Sequence, residues 1–402
     1  MFEIIVAIGV GIVFGIITGL TPGIHINLVS VLLVSSSSYF LGFTEPITLA
    51  VFIIAMGVTH TFLDAIPSIF LGAPDESQIL NVLPGHRLLL RGMGYEAVKL
   101  TVIGSLMGLL ITILLLPILM PLSIIIFTGL QNVVGYILVA VSVFMILKER
   151  GLNRKFWAFL VFMLSGILGV LVLTMPDISQ PLFPLLSGLF GVATLLDSLT
   201  QNVSLPKQRV TEMITPERSG MLKAFGGAVF SGSLTGLFPG LGSAHAAIIA
   251  MQFLGNIGMY SFMILIGGIS TVNFLFSLVT FYTIDKARNG GIVAIQEIVG
   301  SIDFSQFMLL VAVSLVAGGI ATFLALLFSR GFAAIVSKVN YKHLSLTIML
   351  LIGILAVVFD GLTGLLILAA STAIGLIPPH VQVKRSMAMG VLLLPVILFF
   401  LL

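Results

Sequence analysis

The phrase Gly19-Leu20-Thr21-Pro22-Gly23-Ile24-His25 returns 217 residues later as Gly236-Leu237-Phe238-Pro239-Gly240-Leu241-Gly242, each copy inside a long apolar run. Proline removes a helix donor and glycine accepts almost any backbone angle, so each copy is expected to interrupt its helix. In a bilayer such a break persists only where the freed backbone groups face protein or a wet cavity. A helix starting just after Pro22-Gly23 or Pro239-Gly240 would offer unpaired N–H groups and about half a positive charge, a setting for a carboxylate or phosphate. The half-helices before the breaks would end in free carbonyls, which suit Na⁺ or a proton-bearing group. Thr21, His25 and Asn27 add polarity to the first break; Gly242, Ser243 and His245 follow the second. A single Pro-Gly pair would read first as a kink for close helix packing; its return at a matching position favours a binding site.

Two further clusters could share that chemistry. His60 and Asp64 lie four apart and so share a helix face, with Thr61 beside them. A charged Asp64 at the bilayer centre would cost on the order of 3 kcal/mol, so coupling to H⁺ or Na⁺ is one reading. The other places it near the interface, before the polar Asp75-Glu76 loop. Ser270, Thr271 and Asn273 form the matching cluster C-terminal to the second break; such uncharged side chains more often serve helix–helix hydrogen bonds, and only the repeat raises them to ion or substrate contacts.

The chain around these residues is 58% hydrophobic and 8% charged, against about a quarter charged in soluble domains. Its apolar runs are near the roughly twenty residues a helix needs to span a membrane. The fold class expected is therefore an all-α integral membrane protein. The net charge of +3 reflects loop residues placed for topology, not nucleic-acid binding. Cysteine is absent, which excludes disulfides, thiolate metal sites and cysteine nucleophiles. The N-terminus lacks a basic n-region and reads as a retained helix.

Apolar segments fall near 3–20, 24–43, 47–73, 99–128, 130–147, 156–175, 181–200, 219–238, 240–258, 261–284, 306–329, 344–359, 361–378 and 386–402. Lys and Arg concentrate in 85–99, 148–155 and 207–223, while 41–46, 118–129, 174–181 and 255–260 carry none. The positive-inside rule puts the first set in the cytoplasm and the second outside. An odd number of crossings is then expected between Lys223 and the 255–260 loop, so the two segments joined by Pro239-Gly240 form one broken helix or include a re-entrant one. Basic residues flank 306–329 on both sides; the pattern favours an outward 330–343 loop over a re-entrant segment with Gly318-Gly319 at its tip. Parallel and inverted repeats both stay open. Asp360-Gly361 reads as a turn, Asp197 as interfacial, and His86, Arg87 and Arg91 as topology anchors that meet anionic headgroups.

Each half follows its break with a helix, a bare loop and a polar cluster: Gly57 to Asp64 in the first, Gly268 to Leu275 in the second. The bundle is thus expected to contain two related halves, 1–205 and 206–402, each with a Pro-Gly-broken or re-entrant helix.

The second break, with its Pro239-Gly240-Leu241-Gly242, the loop from Pro84-Gly85-His86-Arg87 through Arg91-Gly92-Met93-Gly94-Tyr95-Glu96-Ala97, Lys286-Ala287-Arg288-Asn289-Gly290, and the tail Arg385-Ser386-Met387-Ala388-Met389-Gly390 followed by Pro395 carry a resemblance. Over nearly its whole length the chain resembles the large membrane subunit of the bacterial tripartite tricarboxylate transporters, and more closely their shorter archaeal relatives. The resemblance implies a membrane carrier, with a small membrane subunit and an extracytoplasmic binding protein as candidate partners. His25 stands where those carriers usually show glycine, and the chain is shorter, so citrate specificity is not carried over.

The function expected is transport of a small organic anion, a carboxylate, across a prokaryotic plasma membrane by alternating access coupled to H⁺ or Na⁺. The alternative is a translocase for an anionic lipid carrier such as a polyprenyl phosphate, whose mark would be a lateral apolar opening. An intramembrane enzyme is disfavoured, since neither His-Glu-x-x-His nor an Asp-rich Mg²⁺ motif is present. A channel lacks a ring-forming charged motif, and no cofactor motif appears. The substrate site expected comprises Pro22, Gly23, His25, Asn27, Pro239, Gly240, Gly242, Ser243, His245 and Asn273; ion coupling falls to His60, Asp64, Ser270 and Thr271. Membrane lipid and the small anion are the expected partners, nucleic acid is not, and a homo-oligomer is a further candidate assembly.

Overall fold

Apolar chain in a bilayer can satisfy its backbone only as helices or closed barrels, and here it forms helices. The computed structural model describes residues 2–22, 29, 33–34, 37–72, 82–176, 178–200, 206–210, 214, 216–238, 241–336 and 341–402; no strand occurs among them. In chain order the helices are α1 Phe2–Leu20, α2 Pro46–Leu63 (continuing past Asp64 as Ala65–Phe70), α3 Val82–Leu89, α4 Gly94–Leu114, α5 Leu116–Leu130, α6 Val134–Leu147 and α7 Leu152–Leu173. Next, α8 runs as Leu182–Leu186, a π-helical stretch Ser187–Val192 and Ala193–Thr200. There follow α9 Arg218–Leu237, α10 Ser243–Leu254, α11 Gly258–Ile284, α12 Gly290–Val299, α13 Phe304–Val336, α14 Tyr341–His380 and α15 Gly390–Leu401. Among the described residues seven helices are long and apolar enough to cross a membrane, and the pair α5–α6, bent by 82°, adds an eighth if it is one span. The protein is an all-α polytopic membrane protein.

Two helices form its centre. The windows of α2 with its continuation and of α11 are each 94% buried, whereas α1, α7, α13 and α14 keep apolar faces outward. Small residues let the neighbours close on them. On α1, Gly11, Gly15 and Gly19 face Phe52, Met56 and Leu63 of α2 in turn, so the two helices run parallel. On α9, Gly232 and Gly236 face Val272 and Phe276 of α11 in the same sense. Glycines four apart allow this backbone approach where apolar attraction between helices is weak.

The central helices α2 and α11 run in opposite directions. Gly94 stands against Phe70, so α4 starts where α2 ends; Gly104 and Gly108 of α4 meet Ile264 and Val272 of α11, so those two are parallel. Hence α11 is antiparallel to α2. The helix α13 follows α2, with Tyr282 on Phe307 near one end and Phe70 on Phe332 near the other. The basic loops 85–99 and 207–223 share a face: the Arg209 N–H donates to the Gly92 carbonyl at 2.9 Å, and Arg209 pairs with Glu96 at 2.9 Å.

Three expectations about sidedness need restating. The bare loop 255–260 does not face away from the basic loops: the Ile257 carbonyl and Ser261 hydroxyl lie against Gly220. The chain therefore makes an even number of passes between Lys223 and this loop, α9 inward and α10 back, and the odd-crossing argument fails. A bare loop carries no topological signal; only Lys and Arg do. The Val336 end of α13, which leads into the 330–343 connection expected to face outward, is instead on the basic face, since Arg330 sits over the Tyr95 ring at 5.7 Å. The segment with Gly318-Gly319 is continuous helix, with Gly318 turned to Leu109 and Gly319 to open space.

The turn at Asp360-Gly361 is as expected. Both residues are non-helical, with φ +62° at Gly361, a conformation that favours glycine. Gly364 folds back against the Ala356 carbonyl, so α14 is a hairpin of two arms. A straight helix of the 36 apolar residues would be about 54 Å long, well beyond a hydrocarbon core of about 30 Å. The Asp360 carboxylate accepts from the Ser179 and Gln180 N–H groups at 2.7 and 3.0 Å, tying the turn to the start of α8.

Candidate functional site

Both broken helices stop inside the bundle. The α1 helix ends at Leu20, with Gly19 level with His60 and Leu63, about 10 Å short of the Phe70 end of the helix beside it. The α9 helix ends at Leu237, with Gly236 level with Phe276, about 12 Å short of Ile284. Phe238 and Gly242 are extended, and α10 begins at Ser243. Pro22 is half-buried just past the end of α1. Gly23, His25, Asn27, Pro239 and Gly240, all expected site residues, lie outside the described residues.

Near each end a threonine hydroxyl meets a polar side chain of the parallel partner. Thr18 Oγ1 lies 3.1 Å from His60 Nδ1, and Asn273 Nδ2 donates to Thr235 Oγ1 at 3.0 Å. Thr18 and Thr235 are 217 apart, as are Gly15 and Gly232; the residues they meet on α2 and α11 are 213 apart. The contacts thus set His60 against Asn273 and Gly57 against Ser270, two residues away from the match of letter strings between Gly57 and Gly268. A string comparison cannot register the shorter link between α9 and α11.

The helices α2 and α11 touch through Thr61 and Thr271, whose hydroxyls are 3.2 Å apart. His60, Asp64, Ser243, His245, Ser270, Thr271 and Asn273 are all buried. Asp64 is 1% exposed, at the turn between the two parts of α2, which sets aside its placement at an exposed interface. His245 is a helix cap as well as a candidate ligand: its Nδ1 accepts from the Gly242 N–H at 3.2 Å, which fixes the other ring nitrogen as the protonated one. Among the described residues no three His, Asp or Glu side chains are grouped to hold a metal.

One functional contact was not legible in the sequence. Arg288 Nε donates to the Leu237 carbonyl at 3.1 Å, placing a cation on the C-terminal end of the broken α9 helix. Its loop is braced by Ser277 Oγ, which accepts from the Arg288 and Asn289 N–H groups at 3.0 and 2.8 Å. Lys286 and Arg288 lie over the Phe127 ring, which stacks on Phe238 of the break. These two cations are on the face opposite the basic loops. The run Lys286-Ala287-Arg288 was visible, but nothing in it pointed 51 residues back.

On the basic face His86 and Arg87 do more than anchor topology: with Arg154, Asp197 and Arg385 they line a cavity. His86 is 4% exposed, and burial pushes its pKa down from 6.5 to about 4; the Ile69 main chain opposes the shift and the Arg385 charge adds to it. A folded-state pKa below the unfolded one means stability is full above pH 6.5 and is lost as pH falls toward 4, by roughly 3 kcal/mol in all. The melting temperature of the wild-type protein is therefore expected to drop more between pH 7.5 and 4.5 than that of His86→Gln. Parallel drops in both proteins would remove His86 as the cause.

Comparison with known proteins agrees with this architecture. The sequence pattern of the Tripartite tricarboxylate transporter TctA family matches residues 5–390. An uncharacterized protein of Methanocaldococcus jannaschii is 32% identical over 406 residues, covering 97% of each chain. No solved structure matches. A pattern that covers nearly the whole polytopic chain, including both broken helices, shows that the chain belongs to the tripartite tricarboxylate transporter TctA family, a family of membrane transporters.

Proposed function

We propose that this transporter moves a small organic anion, a carboxylate, across the cell membrane by alternating access, with H⁺ or Na⁺ coupling at the same centre. The observation that carries the reading is the doubled arrangement: in each half a helix stops inside the bundle, and its last turn is bonded to a polar side chain of the parallel helix beside it. The opposite run of α2 and α11 supports reading 1–205 and 206–402 as inverted repeats, the organisation in which discontinuous helices meet at a midplane site. On this reading the α10 end with Gly242, Ser243 and His245, and the residues of both Pro-Gly breaks, hold the anion. His60, Asp64, Ser270 and Thr271 serve the coupling ion, next to the Thr61–Thr271 contact between the halves. The family is that of a tripartite system, which supports a small membrane subunit and an extracytoplasmic binding protein as partners.

The test is uptake by the purified protein in proteoliposomes. Labelled citrate and succinate are supplied outside, with an imposed Na⁺ or pH gradient. Accumulation that collapses with the gradient is the expected result. No uptake under either gradient, together with movement of polyprenyl phosphate between leaflets, would replace the carboxylate reading with the lipid-carrier one.

A further inference from the structure

The basic-face cavity has a volume of about 910 Å³, within the range of roughly 300–1,000 Å³ typical of ligand sites. It lies away from the breaks, ringed by α3, the α6–α7 loop, α8, the α10–α11 junction and the link from α14 to α15. Four cations line it, Arg87, Arg154, Lys384 and Arg385, against two carboxylates, Glu149 and Asp197. Asp197 takes Arg385 at 2.6 Å, and Glu149 lies 4.0 Å from Lys384. Among the described residues two positive charges therefore remain in excess at the wall.

The way these cations are held points to a ligand. Arg385 is 9% exposed and fixed by Asp197 and the Thr194 hydroxyl, so its guanidinium is pre-positioned rather than free to reach toward lipid. Arg154 donates to Gln382 at 2.9 Å, a neutral partner that leaves its charge uncompensated. Arg87 is exposed, and its charge is felt at Arg385, so two guanidinium groups repel across the space. A multivalent carboxylate between them would relieve that repulsion through the paired N–H donors that guanidinium offers. Basic residues that only meet headgroups extend outward from the bundle; these line one open cavity formed by five structural elements.

We propose that this cavity is a binding site for a polycarboxylate on the cytoplasmic face, with Arg87 and Arg154 as its accessible ligands and Arg385 as the fixed one. The substrate class rests on the carrier reading; the site does not, since it stands on its own lining. Met251 of α10 forms part of the wall, and α10 leads from there about 12 Å back to Ser243 beside the second break, so the cavity lies at the cytoplasmic end of a helix that begins at the proposed midplane site.

The experiment is calorimetric titration of citrate into the full-length protein, purified in nanodiscs of neutral phosphatidylcholine, comparing wild type with the double variant Arg87→Gln, Arg154→Gln. Neither side chain is buried, so the variant should keep its melting temperature. The expected result is a citrate affinity at least tenfold weaker in the variant. Unchanged affinity in the variant, with loss on Asn273→Leu, would overturn the cavity site and leave the carrier reading standing. Weaker citrate binding in the variant but no uptake by wild-type proteoliposomes would keep the cavity site and remove the carrier. Failure of the wild type to bind citrate or succinate at all would overturn both. Abolition of citrate binding when phosphatidylglycerol replaces the neutral lipid would assign the cavity to a headgroup and overturn the proposal.

Discussion

Alanine at Gly104 or Gly267 is expected to prevent stable assembly of the bundle. The helices α4 and α11 approach backbone to backbone: a methyl group on Gly104 would overlap the Ile264 carbonyl, and one on Gly267 would overlap the Thr101 carbonyl. In each case the atom in the way belongs to the main chain of a continuous helix, so no side-chain rotation can make room. The Ser105 hydroxyl donates to the Gly267 carbonyl at 3.0 Å, a contact that needs the same close approach. Overpacking a filled core costs about 1–3 kcal/mol when side chains can adjust, and the rigid case here should reach about 3 kcal/mol or more. Loss of that size from a marginally stable protein appears as little monodisperse protein after solubilisation. Gly319→Ala is the control, because Gly319 of α13 meets nothing within 4 Å; it should stay within about 0.5 kcal/mol of wild type. If Gly104→Ala purified and melted like Gly319→Ala, the packing of α4 on α11 would be wrong.

The sequence shows the breaks far better than the sides. Pro22 and Pro239 announce their helix ends because proline and glycine act locally, and the same holds for Gly361. The polar clusters at His60 and Asn273 were visible for the same reason: buried polarity in an apolar run has few uses. Sidedness depends on charge counts, and two features defeated it. Loop 255–260 is short and bare, so it follows its helices and carries no signal of its own. Lys286 and Arg288 are basic residues on the less basic face, where the rule expects few, and they misplaced the 330–343 loop by parity. Their presence there has a local cause: the Leu237 carbonyl at the broken helix end and the Phe127 ring hold them. The cavity on the basic face was illegible because its cations come from three separate stretches of chain, around Arg87, Arg154 and Lys384-Arg385, none of which stands out as a site by itself. The opposite directions of α2 and α11 emerged only from which glycine meets which partner.

Replacing Asn273 by leucine is expected to lower carboxylate uptake at least tenfold while costing only about 1 kcal/mol of stability. The stability side follows from the hydrogen-bond inventory. Thr235 Oγ1 accepts from Asn273 Nδ2 and also donates to the Ser231 carbonyl at 2.9 Å, so removing the amide leaves the hydroxyl proton satisfied. One net hydrogen bond is worth about 1 kcal/mol, and leucine keeps the branched skeleton of four side-chain heavy atoms that asparagine has. The transport side is larger because of where the bond acts. It fixes the last turn of α9, whose terminal carbonyl is also held by Arg288, so the direction of the broken helix end depends on both. A loss of about 1.4 kcal/mol in binding at that end is already tenfold in affinity. The pair is tested by a cycle of Thr235→Val, Asn273→Leu and the double variant. If the two act through their mutual bond, the double variant should transport no worse than the poorer single, whereas independent roles would multiply. The same cycle with Thr18→Val and His60→Leu probes the other broken end. Equal, non-additive losses in both cycles would tie the two broken ends to one transport event. Wild-type uptake by Asn273→Leu would reduce the Thr235 contact to helix packing and leave the anion site to the breaks alone.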